Sequence, residues 1–485
     1  MVGWVRGRRG LFPVPERAAL EPLRQRWFLV VLGLGVVLRA LAMLGYRPAL
    51  WFPDSYTYVV TAMRPRPDLV RPAGYSMFLR LLEPLHSFAL VAGVQHLLGL
   101  LTGVMVYLTA RRLRAPAWAA TLACVPVLLD AYQIELEHLL VSDTLFTTLV
   151  VAAVCLAVRE PGSQRGRMAG ACVIGLLVAA ATLTRTVGLP LVALLGAWLL
   201  YRQRGRVAVA AVTLAAAALP ILGYGVWFHA TTGRIGLVGA NGAFLYAKTM
   251  TFADCAVMRP SAELAVLCDP RPPASRPPSQ EYLWGQDSPL VRLPGITFTR
   301  ETDALAGEFA SLAIRSQPLD YLGSVLTELG RSFTLDRPVY PDQEIYDHYL
   351  FPAATPEPPG RYPALVGASF ARLYERGPIE TEVVEPYAGW MRAYQGVAAL
   401  PGAALLVILL LPPVVAGVRR ARSAGSVPAV WVLPWATAVT LLVMPAAVAE
   451  FDYRYVLPAV PLACLAAAFA ASKPSFSNIP RNVRI

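Results

Sequence analysis

Apolar runs about twenty residues long recur through this chain, and they constrain its fold more than any other feature. A hydrocarbon core of about 30 Å needs about twenty helical residues at 1.5 Å each. Ten such runs stand near 27–46, 88–110, 116–131, 139–158, 168–185, 187–201, 207–229, 398–417, 428–447 and 453–471. Of the 485 residues, 15% are charged, against roughly 25% in soluble globular domains. The pattern predicts an all-α polytopic membrane protein with about ten spanning helices. The first run has a basic leader and an Ala40-Leu41-Ala42 triplet, as a signal peptide would. Its full length and Arg39 before the triplet predict that it is retained.

The formal net charge is +12, which would ordinarily suggest a nucleic-acid partner. The basic residues sit instead in short segments between runs, which excludes that class here. They are Arg6, Arg8, Arg9, Arg17, Arg24 and Arg26, then RRLR at 111–114, REPGSQRGR at 159–167, YRQRGR at 201–206 and VRRARSAG at 418–425. Lys473, Arg481 and Arg484 end the chain. Ten spans place all of them on one side, and the positive-inside rule makes that side, with both termini, cytoplasmic. The preference for Arg over Lys points to a GC-rich, bacterial genome.

Three regions follow: an N-terminal membrane part over 1–230, a large extracytoplasmic segment over 231–397 between helices 7 and 8, and C-terminal spans with a tail over 398–485. In the first outer loop, 47–87, GYSMFLRLLEPL at 74–85 carries apolar residues at helical spacing. Such a helix lies on the membrane surface or packs against the spans, and the sequence leaves both open. Residues 302–335 read as two helices broken at Gln317-Pro318, and the aromatic clusters of the segment predict a folded cap. Cys255 and Cys268 flank a stretch in a Pro-rich polar setting and are expected to form a disulfide if that side is oxidising. Cys124, Cys155, Cys172 and Cys464 lie in apolar runs as small hydrophobes.

The ionisable residues inside or beside the spans gather at one depth, the outer interface. They are Asp54, Asp130, Glu135, Glu137, His138, Asp143, Arg185, Glu450, Asp452 and Arg454. Intramembrane charge is costly and marks function, but a transporter would place it near the midplane. There only Gln95 and His96 stand out, and they read as helix–helix hydrogen-bonding groups. Acids beside arginines at an interface suit reaction at a lipid headgroup, because a carboxylate can take a proton from a hydroxyl and an Arg can hold a phosphate. Each also has a plainer reading. Asp54 could cap a helix from Tyr56, Asp143 could cap a helix or pair with an Arg, and Arg454 could pair with Glu450 or Asp452. Arg39 reads as an anchor in the outer headgroups. Glu135 and Glu137 share a face only in an extended turn and diverge on a helix.

Five motifs occur in a fixed order: FPDSYTY, RPAGYSMFLRLL, HLLVSDTLFTTL, TLTRTVGLPL and DYRYVLPAVPL. Together they resemble the GT-C superfamily of polyprenyl-phosphate-dependent glycosyltransferases, in the branch of protein O-mannosyltransferases and lipid A aminoarabinose transferases. The resemblance covers the membrane half and leaves 231–397 unmatched. It implies a GT-C-like fold and transfer of a sugar, with inversion, from a polyprenyl-phosphate donor to a glycan, lipid or protein hydroxyl. Asp54 would be the catalytic base, and Arg185 and Arg454 the donor-phosphate ligands. Asp143, Glu137, Arg71, Tyr75 and His138 would bind substrate. No organic cofactor is implied, while a divalent cation (Mg or Mn) is compatible with the resemblance. Ser55 stands where many relatives carry a second acid, which weakens the case for a metal. With donor selection in the membrane half, acceptor selection is expected to fall to 231–397. The rival readings are a transporter or flippase of lipid-linked sugars and a non-catalytic scaffold.

Overall fold

In the computed structural model the loop 47–87 is folded against both the spans and the segment 231–397. The structure describes residues 25–159, 163–202, 207–295, 297–356, 362–422 and 429–472. The leader arginines, the tail and parts of the basic loops lie outside these residues.

The first span, α1 (Arg26–Gly45), leads into a two-residue strand, β1 (Tyr46–Arg47). This pairs antiparallel with β2 (Glu382–Val383), in the register Tyr46 to Val383 and Arg47 to Glu382. Next comes α2 (Pro53–Met63). Pro53 begins it because a missing N–H costs nothing in a first turn. Ser55 Oγ accepts from the Phe52 amide at 2.9 Å. Helix α3 (Gly74–Leu82) buries Tyr75, Ser76 and Leu79 and leaves Leu81 79% exposed. It therefore packs one face on the protein and presents another outward.

Seven helices among the described residues are long and apolar enough to cross a membrane, or eight if one bent pair is a single span. The seven include α4 (Phe88–Arg112), α8 (Gln164–Thr184), α10 (Val207–Thr232), Gly402–Ala421 and Tyr453–Ala470. The 116–131 run is not one straight span. It is α5 (Ala117–Leu129) followed by α6 (Ala131–His138), bent by 49°. Pro126 and Asp130 account for the break. Asp130 caps α6 through the Tyr132 and Gln133 amides and also accepts from the Leu400 amide at 2.6 Å. The 139–158 run is extended at its start, where Leu50 bridges Leu139, and becomes α7 only over Asp143–Ala157. The 187–201 run is likewise short, as α9 (Leu189–Arg202).

The spans share one apolar cluster that includes a stacked pair, Phe28 and Tyr107, with ring centroids 3.8 Å apart. A separate cluster forms within the long segment, around Tyr246 of α11 (Asn241–Thr249) and Phe309 of α12 (Arg300–Ser316). Helix α13 (Pro318–Arg331) follows α12 with the break at Gln317-Pro318. Cys255 and Cys268 are disulfide-bonded beside this cluster. Helix α14 (Tyr362–Glu375) leaves the cap and lies on α2. Gly367 permits that approach, since a Cβ there would stand 2.5 Å from Tyr56 Cβ.

Candidate active site

The site is assembled where the N-terminus of α2 meets the start of the last span. Asp54 is the second residue of α2, with Phe52 at the N-cap. Its carboxylate turns away from the helix amides. Arg71 donates to Oδ1, and Arg454 donates to Oδ2 at 3.0 Å. Because Ser55 serves as the helix's polar cap partner, Asp54 is not a capping group. Arg71 follows a tight turn in which Asp68 accepts from the amides of Val70 and Arg71 at 2.8 and 2.9 Å. Arg454 belongs to a 3₁₀ turn over Tyr453–Tyr455. Asp452 accepts from its Nε at 3.0 Å, and its guanidinium lies 4.4 Å from the Phe52 ring centroid.

Asp54 is only 8% exposed. Burial opposes its charge, but the Arg71 and Arg454 guanidiniums outweigh that penalty and hold the carboxyl well below the usual carboxylate range. The group is ionised and, while so paired, a weak base.

Behind this cluster Arg185 pairs with Asp143 at the first turn of α7 and lies 5.1 Å from the Tyr455 ring centroid. Asp143 is fully buried, and its Oδ2 has no hydrogen-bond partner among the described residues. The two ion pairs are close enough to interact electrostatically. A cavity of about 890 Å³ opens in front of them. Asp54, Arg71, Arg454 and Tyr455 form one part of its wall, while Lys248, Gln280, Trp284 and Glu450 form another. Asp143 and Arg185 are not part of that wall.

The structure places several of the residues singled out in the sequence elsewhere. Glu137, His138 and Tyr75 do not reach the cavity. Each is completely buried in a network among the spans. Glu137 receives two 2.7 Å bonds from Arg39 and lies 3.0 Å from His96 Nδ1. His96 Nε2 is 2.9 Å from His138 Nδ1, and His138 Nε2 is 2.7 Å from the Tyr46 carbonyl. Tyr75 donates to Gln95 at 2.7 Å. Arg39 is thus a buried partner of Glu137, not a headgroup anchor. The 131–138 stretch is helical, so Glu135 and Glu137 diverge, and Glu135 has no hydrogen-bond partner among the described residues. Arg454 pairs with Asp452, one of its two expected partners, and not with Glu450. Glu450 accepts from the Ser279 and Gln280 amides, each at 2.9 Å, and from Tyr340 at 3.2 Å.

A divalent cation does not suit this donor set. Two guanidiniums already occupy the Asp54 oxygens, and Ser55 Oγ is turned to its own helix terminus. Among the described residues no group of three or more His, Cys, Asp or Glu side chains could hold a metal ion.

Comparison with known proteins bears on the spans behind this site. Residues 84–247 match the family model described as dolichyl-phosphate-mannose-protein mannosyltransferase. The chain is therefore similar to that family from α4 through α11, a stretch containing Asp143 and Arg185 but neither Asp54 nor Arg454. No curated protein matches the chain. Among solved structures, the Saccharomyces cerevisiae protein O-mannosyltransferase complex bound to the sugar donor is 18% identical over 49% of this chain and 38% of that one, with a TM-score of 0.35. The oligosaccharyltransferase of Archaeoglobus fulgidus, in the apo form, is 12% identical over 92% of this chain and 50% of that one, at 0.44. ArnT from Cupriavidus metallidurans bound to undecaprenyl phosphate is 13% identical over 92% and 77%, at 0.35. The chain thus spans half or less of the first two.

The sequence reading missed the part of the cavity wall supplied by 231–397. One signal was present. Only two lysines occur in the sequence, Lys248 and Lys473, and Lys248 is 1% exposed.

Proposed function

We propose that the protein is an inverting glycosyltransferase that moves a sugar from a polyprenyl-phosphate donor to a hydroxyl acceptor at the extracytoplasmic face. The observation that carries this reading is Asp54 held between Arg71 and Arg454 in the wall of the cavity. By its description, the family matched over 84–247 takes its sugar from a dolichyl phosphate. The Arg-rich segments of the sequence, such as RRLR at 111–114 and YRQRGR at 201–206, which the alternation of spans assigns to the other side, support this face.

The arrangement suggests a sequence of events. The donor phosphate, an anion with several oxygens, competes with Asp54 for the two guanidiniums. As they turn to the phosphate, the Asp54 carboxyl loses the charges that depress its pKa and becomes a usable base. It then takes the acceptor hydroxyl proton while that oxygen bonds to the anomeric carbon. The bond from that carbon to the phosphate oxygen breaks on the opposite face, inverting the centre. Polyprenyl phosphate leaves with its new charge on Arg71 and Arg454. Arg185, through Asp143 and Tyr455, holds Arg454's surroundings in place.

Purified protein incubated with a panel of polyprenyl-phosphate sugars and hydroxyl acceptors should release polyprenyl phosphate with at least one pair. Sugar crossing proteoliposome membranes without any such release would contradict the proposal and favour a flippase.

A further inference from the structure

The reaction sequence above uses one end of the cavity. At the end built from 231–397, polar groups are buried without their full set of partners. Lys248 of α11 carries an ammonium with three donors, yet among the described residues it makes a single long contact of 3.5 Å to the Ser324 carbonyl. Ser279 is 3% exposed, and its Oγ has no hydrogen-bond partner among the described residues. Both line the cavity. Burying a cation and a hydroxyl this way is costly unless a ligand completes them.

Glu328 and Glu450 both act electrostatically on Lys248. Glu328 is bound by the Phe451 amide at 2.7 Å and by the Tyr340 hydroxyl at 3.2 Å, with Arg331 at 3.8 Å. Among the described residues that line this end there is no pair of guanidinium forks such as Arg71 and Arg454 supply, so it offers single hydrogen-bonding groups and not a bidentate grip on a phosphate. The same wall carries aromatic rings. Trp284 is half-buried and stands edge-to-face with Phe298, with ring centroids 5.3 Å apart. A ring face beside hydrogen-bonding groups of both kinds matches a sugar, which has an apolar C–H face and a rim of hydroxyls. At about 890 Å³ the cavity is in the range of small-ligand sites, so an acceptor enters as a chain end and not as a folded domain.

We infer that this end of the cavity is the acceptor subsite and that the acceptor is a neutral saccharide. Lys248 and Ser279 hold its hydroxyls, Trp284 packs on its ring, and the reacting hydroxyl points toward Asp54. The inference rests on the glycosyltransferase reading but is testable without turnover.

Binding of neutral oligosaccharides, uronic-acid saccharides and hydroxyl-bearing peptides to the full chain in nanodiscs would be measured, followed by transfer. Lys248→Met should weaken neutral-saccharide binding at least tenfold and raise acceptor KM to match, with the donor Kd within twofold. If Lys248→Met does not accumulate folded, Trp284→Ala tests the same wall and should give the same split. Unchanged saccharide affinity in the folded variant, a change confined to donor Kd, or use of peptides in place of saccharides would each overturn the inference. A wild-type chain that binds saccharide through Lys248 but releases no polyprenyl phosphate would sink the transferase reading alone.

Discussion

Asp54 and Arg454 lie 400 residues apart in the chain and meet through a 3.0 Å hydrogen bond between carboxylate and guanidinium. The contact brings together the loop 47–87 and the last span, and Arg71 completes it from the other carboxylate oxygen. Neither arginine neutralises Asp54 as a chemical group. Together they keep it charged and quiet until another anion takes their place.

The sharpest consequence concerns Asp54→Asn. A positioned carboxylate base contributes roughly 10²–10⁴-fold to rate, so transfer should slow at least about a hundredfold while donor still binds. Helix α2 should remain intact because its cap is made by Phe52 and Ser55. Parallel donor-binding and transfer assays on one preparation check this, and near-normal transfer would remove Asp54 from the mechanism.

The pH dependence of that ion pair has a defined sign. The folded Asp54 carboxyl lies below its unfolded value of 3.8. Its contribution to stability is therefore complete above that value and is lost only as pH falls through the lower, folded pKa. The difference in unfolding temperature between wild type and Asp54→Asn should be the same at pH 6 and pH 8. A difference that grows across that interval would show that Asp54 is not held ionised.

Glu450 behaves in the opposite sense. Burial is the largest influence, and despite three hydrogen bonds it pushes the carboxyl up to about 7 from 4.5. The folded chain binds more protons than the unfolded one between those values, so this group's contribution falls as pH rises from about 4.5 to about 7. One pKa unit is about 1.4 kcal/mol, so the fall is on the order of 2–3 kcal/mol. Unfolding profiles at pH 5 and pH 7 should show a smaller loss in Glu450→Gln than in wild type.

Arg39 and Glu137 are 3% and 0% exposed. Removing one member of a buried ion pair costs about 3–5 kcal/mol, whereas removing both is far milder. Arg39→Met should lower the unfolding temperature sharply, and the double variant Arg39→Met/Glu137→Gln should recover much of it. Acceptor KM in the folded double variant should match wild type, since neither residue lines the cavity.

Gly74 sits where α3 meets the end of α8. A Cβ there would stand 2.4 Å from the Leu183 carbonyl oxygen and 2.7 Å from the Thr184 amide. Backbone cannot yield as a side chain can, so Gly74→Ala should cost about 1–3 kcal/mol. It should also displace the Arg71 loop from Asp54, so transfer should fall together with stability. Unfolding temperature and transfer rate measured side by side check this.

Local pattern determined a good deal about this protein. Hydropathy at helical length marked the apolar runs, Pro318 marked the break between α12 and α13, and the outer depth shared by the acids and arginines singled out Asp54 and Arg454. These readings depend on neighbours within a few residues, or on the side to which an alternating chain returns. Tertiary structure alone decided where the side chains point. The 49° bend at Asp130 turns Glu137 and His138 inward to Arg39 and His96, away from the cavity that their place in the sequence suggested. Ser55, not Asp54, satisfies the start of α2, because two distant arginines compete successfully for the carboxylate. Lys248 becomes a cavity residue only when α11 folds back beside Glu450. Contacts made across hundreds of residues depend on which helices pack together, and no periodicity within one helix carries that information.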